Sequence, residues 1–252
     1  MITLYPIPGM PLVKAGDDVC AMIVEAADAA ALSLEAGDIL VVTQKIVSKS
    51  EGLTIDLAEV EPGARAHELA AIHGGDPRYI EVVLQQSREI IVVRPNLLIA
   101  EHVSGAVMAN AGVDRSNVEQ AEGRELVIVL PRDPDAAAAR LREALRKRLG
   151  FDVAVILSDS WGRPWRLGTT GAALGAAGFA PLRDLRGTPD LFGAPLRHSL
   201  QAVGDELAAA ANLVMGQAAE SVPVVIVRGF AYANEGGGAR DLQRPREQDV
   251  FR

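Results

Sequence analysis

The 252 residues carry a formal charge of −8 and 49% hydrophobic side chains, enough apolar material for one large domain or two intertwined ones. The acidic balance argues against non-specific nucleic-acid binding but leaves room for an anionic small ligand held by a local group of Lys and Arg. A single cysteine, Cys20, and four scattered histidines exclude an intramolecular disulfide and a Cys/His zinc cluster, so a reducing cytoplasm is the expected compartment. The opening MITLYPIPGMPLV lacks a basic start, and no apolar run approaches the ~20 residues a membrane helix needs, so neither export nor membrane insertion is expected.

In chain order, ITLYPI reads as a strand before the turn IPGM, and Asp17 or Asp18 is placed to cap the Ala-rich helix that follows. GDILVVTQ reads as a turn and a buried strand, and the polar, Gly-terminated IVSKSEG as a loop at its carboxyl end. ARAHELAAIHGG and PRYIEVVLQQSR have helical patterning, while EIIVVRPNLLIAEHV divides into two strands around Arg-Pro-Asn. The polar loop NAGVDRSNV precedes a strand in ELVIVLP. DPDAAAARLREALRKRLG is then a helix with Asp133 as cap, Pro134 in the first turn and Gly150 as its stop. FDVAVILSD is a further strand, expected to end at Asp159 and Ser160. A helix over about 200–218 and a strand in VPVVIVRGF follow, and the Gly-rich, charged tail either moves freely or docks. Strands and helices mix throughout, so the class is α/β or α+β, with no repeat or linker to mark a boundary.

The common nucleotide and hydrolase signatures are missing. There is no G-x-x-x-x-G-K-[ST] loop, no H-E-x-x-H and no G-x-S-x-G, and GAALGAAG follows a loop, where small residues that permit close packing are the better explanation. What remains is a set of polar loops at strand ends. Asp114 and Asn117 stand in one, where Asn, Gly and Asp equally suit a plain turn. Asp159 and Ser160 offer carboxylate and hydroxyl oxygens to a hard cation such as Mg²⁺ or Mn²⁺, or else cap a helix. Gln44, Lys45 and Lys49 form either a solvated face or a cationic cradle for polyphosphate. Gln217 and Glu220 stand where a helix ends, as a cap or as ligands.

Taken together and in order, IPGMPLVKAGDD, GDILVVTQKIVSKSEG, NAGVDRSNV, LPRDPDAAAARLR, SDSWGRPWRLGTTGAALGAAG, DELAAAANLVMGQA with VPVVIVRG, and RPREQDVFR resemble the coenzyme F420-0:L-glutamate ligase family over the whole chain. The resemblance implies one family domain over residues 1–252, with mixed and antiparallel sheets and intertwined subdomains. It implies GTP-dependent addition of L-glutamate to the carboxylate of F420-0 through an acyl phosphate, then γ-linked extension, in a homodimer. It places metal ligands on Asp114 and Asp159, with a second metal position on Ser160 and Gln217. Nucleotide contacts fall on Ile7, Pro8, Gly9 and Met10, on Gln44, Lys45 and Lys49, on Asn117, and on Met215, Gly216, Gln217, Ala218, Ala219 and Glu220. K⁺ is a further candidate ion. Ser160 stands where the family favours Thr, and Trp161 where it favours Phe. The chain is expected to be the stand-alone form without the nitroreductase-like domain of some relatives. Other readings are the same chemistry on a folate-like acceptor, and a non-catalytic nucleotide- or coenzyme-binding homologue. The segment from Arg163 to Arg166 is open to a role with anionic substrate or in locking the site loop. Trp161 and Trp165 are open to two roles, stacking on a deazaflavin or anchoring a subunit contact, with anchoring preferred. Arg183 and Arg186 read as hairpin surface charges, and His67, His73, His102 and His198 have no ligand spacing.

Overall fold

The computed structural model describes residues 1–118, 120, 124–234 and 236–250. Strand β1 (Thr3–Pro6) leads to α1 (Val19–Ala29), β2 (Ile39–Thr43) and α2 (Gln44–Ser50). Next come β3 (Thr54–Asp56), α3 (Ala64–His73), α4 (Pro77–Gln86), β4 (Ser87–Arg94), β5 (Leu97–His102), β6 (Val107–Ala109) and β7 (Leu126–Ile128). Helix α5 (Pro134–Leu149) precedes the long hairpin β8 (Ala154–Arg163) and β9 (Arg166–Ala177). A short pair, β10 (Arg183–Asp184) and β11 (Leu200–Gln201), then leads to α6 (Val203–Met215) and β12 (Val224–Arg228).

Five strands form the main sheet in the order β1-β12-β2-β8-β9, with β2 and β8 parallel and the other neighbours antiparallel. Both faces are covered, which is why β2, β12 and the first four residues of β8 are nearly unbroken apolar runs. Alternation sends Leu40, Val42, Val155 and Leu157 to a core shared with α1 and α5, and Ile39, Val41, Ala154 and Ile156 to a core shared with α6. A third core, with Leu57, Leu69, Ile80, Leu98 and Val127, belongs to the elements from β3 to β7. The two bodies are thus nested, the second being a continuous insertion between α2 and α5. The class is mixed α/β with mostly antiparallel sheets, as the sequence indicates.

Local chemistry sets the helix ends. The Asp18 carboxylate accepts the Ala21 N–H at 3.0 Å, and Asp133 accepts that of Ala136 at 3.0 Å. Gly150 closes α5 with φ of 80°. The small residues of β9 allow close packing, as expected: a Cβ on Gly171 would lie 2.4 Å from the Ala208 carbonyl oxygen of α6, and one on Gly175 would lie 2.2 Å from that of Pro134 in α5.

Two expectations need correction. The stretch after β2 is helical because Gln44, Ile46, Val47 and Ser48 turn inward and the Ser48 hydroxyl donates to Gln44 Oε1 at 2.9 Å. Strand β8 does not stop at Asp159 but runs on to Arg163, paired with β9, so the segment around Arg163 and Arg166 is a hairpin tip. The tail docks: Asp135 accepts the N–H groups of Ala239 at 2.7 Å and Arg240 at 3.2 Å. Glu235, Phe251 and Arg252 of that tail lie outside the described residues. Among the described residues no helix is long and apolar enough to cross a membrane.

Candidate active site

Because β1, β2 and β8 run in one direction and β12 runs against them, one end of the sheet gathers several sequence-distant segments. The Ile7 N–H donates to the Val224 carbonyl at 3.0 Å and the Thr43 N–H to that of Pro223 at 2.9 Å. The turn after β1, the start of α2 and the segment before β12 are therefore neighbours at the carboxyl ends of the parallel strands, where open α/β sheets place ligands. Thr43 pairs with Ser158, which brings Asp159 to the same end.

Asp114 reaches this end from the inserted body. It is bridged to Ile128, each N–H donating to the other's carbonyl, at 3.0 and 2.9 Å. Asn110, Ala111 and Gly112 just before it all have left-handed backbones, with φ of 52°, 49° and 75°. A Cβ on Gly112 would lie 2.4 Å from the Leu130 side chain, so this turn accepts only glycine there. Such strain, together with a buried Asn110 Oδ1 that has no hydrogen-bond partner, concentrates at functional loops.

Lys45 joins the two bodies. Its ammonium lies 2.7 Å from Asp114 Oδ2 and donates to Ser116 Oγ at 2.5 Å, while Ser116 gives Asp114 both its N–H (2.8 Å) and its hydroxyl (2.7 Å). Lys49 donates to the Asn117 carbonyl at 2.7 Å. The two lysines expected as a cradle thus also fasten the NAGVDRSNV loop to α2. Burial pushes the Asp114 carboxyl up, but the bonds from Lys45 and Ser116 outweigh it and hold it below the usual range. Asp159 goes the other way. Burial raises it to about 6, opposed by the Ser160 N–H at 2.9 Å and by Lys45, and reinforced by the charge on Asp114. Lys45, Asp114 and Asp159 therefore share one electrostatic site.

The other carried-over residues divide. Ser160 pairs with Gly171, whose face packs on α6, so alternation puts Ser160 on the α6 side and Asp159 on the other. Gln217, just past the end of α6, accepts the Thr169 hydroxyl at 2.7 Å on that same ribbon. Glu220 accepts the Ala218 N–H at 2.7 Å and folds over Gly216, a local turn contact, while α6 itself is closed by the Gly216 N–H donating to the Asn212 carbonyl. Ile7 and Met215 are core residues, leaving mainly their backbone for any ligand; Pro8 and Gly9, with φ of 75° at the glycine, continue the turn to Met10, and Ala219 is exposed. Gln44 Nε2 is a buried donor without a partner at the end of β2.

Ser116 and Thr169 did not stand out in the sequence. Ser116 had a local signal, its place two residues after Asp114, whereas Thr169 had none. His102 is buried beside Ser104 and pushed down to about 4 by burial, with Arg132 and Arg88 adding to the effect, which keeps it neutral and structural.

The donor set is chemically coherent. Asp114, Asp159, Ser160 and Gln217 present only oxygen ligands, which suit Mg²⁺ or Mn²⁺ and not a soft metal. Among the described residues no three of His, Cys, Asp and Glu converge as a metal site, so neutral oxygens or a ligand's own phosphates must complete any coordination. Trp161 donates its indole N–H to the Val107 carbonyl at 3.0 Å and packs on Ala106, Met108, Leu130 and Leu174. Its anchoring role is therefore internal.

The profile of the F420-0:Gamma-glutamyl ligase family matches residues 9–229. A coenzyme F420:L-glutamate ligase of Methanothermobacter thermautotrophicus is 46% identical over 253 aligned residues, covering 100% of this chain and 99% of the relative. Proteins of the same name from Methanopyrus kandleri (44% identical; 100% of this chain, 98% of the relative) and Haloarcula marismortui (39% identical; 99% and 95%) extend the match. With Asp114 and Asp159 brought together beside Lys45, a lysine-tethered loop and a near-complete alignment, the chain belongs to the F420-0:gamma-glutamyl ligase family.

Proposed function

We propose that this protein joins L-glutamate to the carboxylate of coenzyme F420-0, driven by GTP and a divalent cation, and then extends the product through γ-linkages. The observation that carries the proposal is the Lys45, Asp114 and Asp159 group, formed where two bodies meet at the carboxyl ends of β2 and β8. The relatives' name supports the substrates.

In the proposed reaction an oxygen of the acceptor carboxylate attacks the terminal phosphorus of GTP. The bond from that phosphorus to the GDP oxygen breaks. The glutamate amine then attacks the acyl carbon, loses its proton and expels inorganic phosphate. Mg²⁺ or Mn²⁺, when bound, neutralises phosphate charge and draws acceptor and nucleotide together. Asp114 and Asp159 would hold it, and Ser160 with Gln217 would offer a second position on the α6 side of the β8–β9 ribbon. Lys45 and Lys49 add positive charge near the transferred phosphate and keep the Asp114 loop closed on α2. The unpartnered Gln44 Nε2 supplies a hydrogen bond to the nucleotide, and the backbone of Ile7 to Met10 and of 215–220 shapes its berth. K⁺ is a candidate auxiliary ion.

The protein is proposed to work as a homodimer in a reducing cytoplasm. Supporting the first point, Leu191 and Phe192 on the arm between β10 and β11 are 93% and 91% exposed, an apolar tip that a second copy would cover.

The deciding experiment incubates purified protein with GTP, Mg²⁺ or Mn²⁺ and L-glutamate, with and without F420-0, and analyses products by mass spectrometry. The expected result is GDP release that requires F420-0 and products heavier by glutamyl units. Product on a folate with none on F420-0 would transfer the same chemistry to the other acceptor.

A further inference from the structure

Past Trp161, away from the residues assigned to metal and nucleotide, lies a cleft of about 320 Å³ at the free edge of β9. Its apolar side is Trp161, Val107 and Leu174, and its polar side includes Asp205, Gln243 and Arg244. The Trp161 bond to the Val107 carbonyl holds the indole in place. Asp205 Oδ1 accepts the Ala173 N–H at 2.9 Å, and the tail adds Gln243, Arg244 and Asp249 to the polar lining.

The tail is built into this wall. Besides the two N–H bonds to Asp135, Arg246 pairs with Glu89 at 2.8 Å, tying the chain end to the inserted body. Gly105, with φ of 100°, holds a backbone that favours glycine, and the Gln243 side-chain oxygen of the tail lies over its Cα. An apolar slot with a fixed aromatic wall and a few polar groups at one rim suits a small planar ligand, and its volume lies near the lower end of the usual ~300–1,000 Å³. It is too small to hold a whole coenzyme.

We propose that the cleft binds the planar heteroaromatic lactam ring of the acceptor, with its hydrogen-bonding edge toward Gln243 and Arg244 and its chain running back along β8 to Asp159. This rests on the ligase reading. Trp161 and Asp159 are two residues apart on one face of a strand, roughly 7 Å along it, so a ring beyond Trp161 leaves the rest of the acceptor directed at the carboxylates. Deazaflavin and pterin rings share this chemistry.

The test compares wild type with the double variant Q243A/R244A, Trp161→Phe and Trp165→Phe. The KM for F420-0, and separately for pteroylmonoglutamate, is measured beside the KM for GTP, with products read by mass. Thermal melts check folding. The expected result is at least a tenfold rise in acceptor KM for Q243A/R244A, a smaller rise for Trp161→Phe, which keeps an aromatic ring, and a change within twofold for Trp165→Phe. KM for GTP stays within twofold throughout. The acceptor that wild type glutamylates identifies the ring. Unchanged acceptor KM in a folded Q243A/R244A protein would overturn the cleft assignment and leave the ligase intact. Should that variant not fold, Arg244→Ala alone decides on the same criterion. No turnover of either acceptor by wild type would overturn the ligase reading itself.

Discussion

Asp159 sits where its charged form is disfavoured, since burial raises it to about 6. A carboxyl with a raised value binds its proton more tightly folded than unfolded, so its contribution to stability is present at low pH and lost as pH rises through about 6. At neutral pH the charge is therefore a cost to the fold. Asp159→Asn should raise the melting temperature at pH 7.5 by roughly 2–4 °C while cutting glutamylation by about 100-fold or more. Calorimetry and turnover of the same preparation check both, and a lower melting temperature would contradict the burial argument. The same value predicts that kcat/KM falls below about pH 6 in wild type, and that raising Mg²⁺ moves this limb to lower pH, because proton and cation compete for one carboxylate. Asp114 has the opposite sign. Its lowered value stabilises the fold above the ordinary carboxylate range, and that contribution disappears on acidification.

At the scale of elements, the β8–β9 hairpin is held by glycines that let helices approach. Gly171 and Gly175 do not have left-handed backbones, so alanine is conformationally allowed and the cost is contact with the backbone of α6 or α5. Each Gly→Ala change should destabilise by about 1–3 kcal/mol, measured by urea unfolding. Gly171→Ala should also lower activity more than Gly175→Ala, since it pushes α6 and with it Gln217 away from the ribbon. Equal activity in both would argue against Gln217 as a ligand. Helix α2 shows how local pattern misleads: its seven residues are too few for a 3.6-residue period to emerge, and their polarity resembles a loop until β7 and the sheet are seen to bury Gln44 and Ser48.

On the scale of the whole molecule, the site exists because an inserted body meets the main sheet. The exposed Leu191 and Phe192 predict a homodimer in sedimentation velocity that Phe192→Asp shifts to monomer, with the melting temperature of the protomer little changed because neither residue packs into a core. An unshifted dimer would place the interface elsewhere. Much of this architecture was legible in one dimension. Apolar runs marked β2, β8 and β12, Asp133, Pro134 and Gly150 delimited α5, and the small residues of β9 announced close packing, since these depend on neighbours within a few residues. The ordered polar loops likewise pointed to the family. What only the tertiary structure decided was pairing across long separations. Lys45 reaches Asp114 and Ser116, Gln217 meets Thr169, and the tail closes a cleft beside Trp161. The continuation of β8 past Asp159 was hidden for the same reason, because a polar strand is held by its hydrogen-bonded partner β9 and not by the hydrophobic period of its own residues.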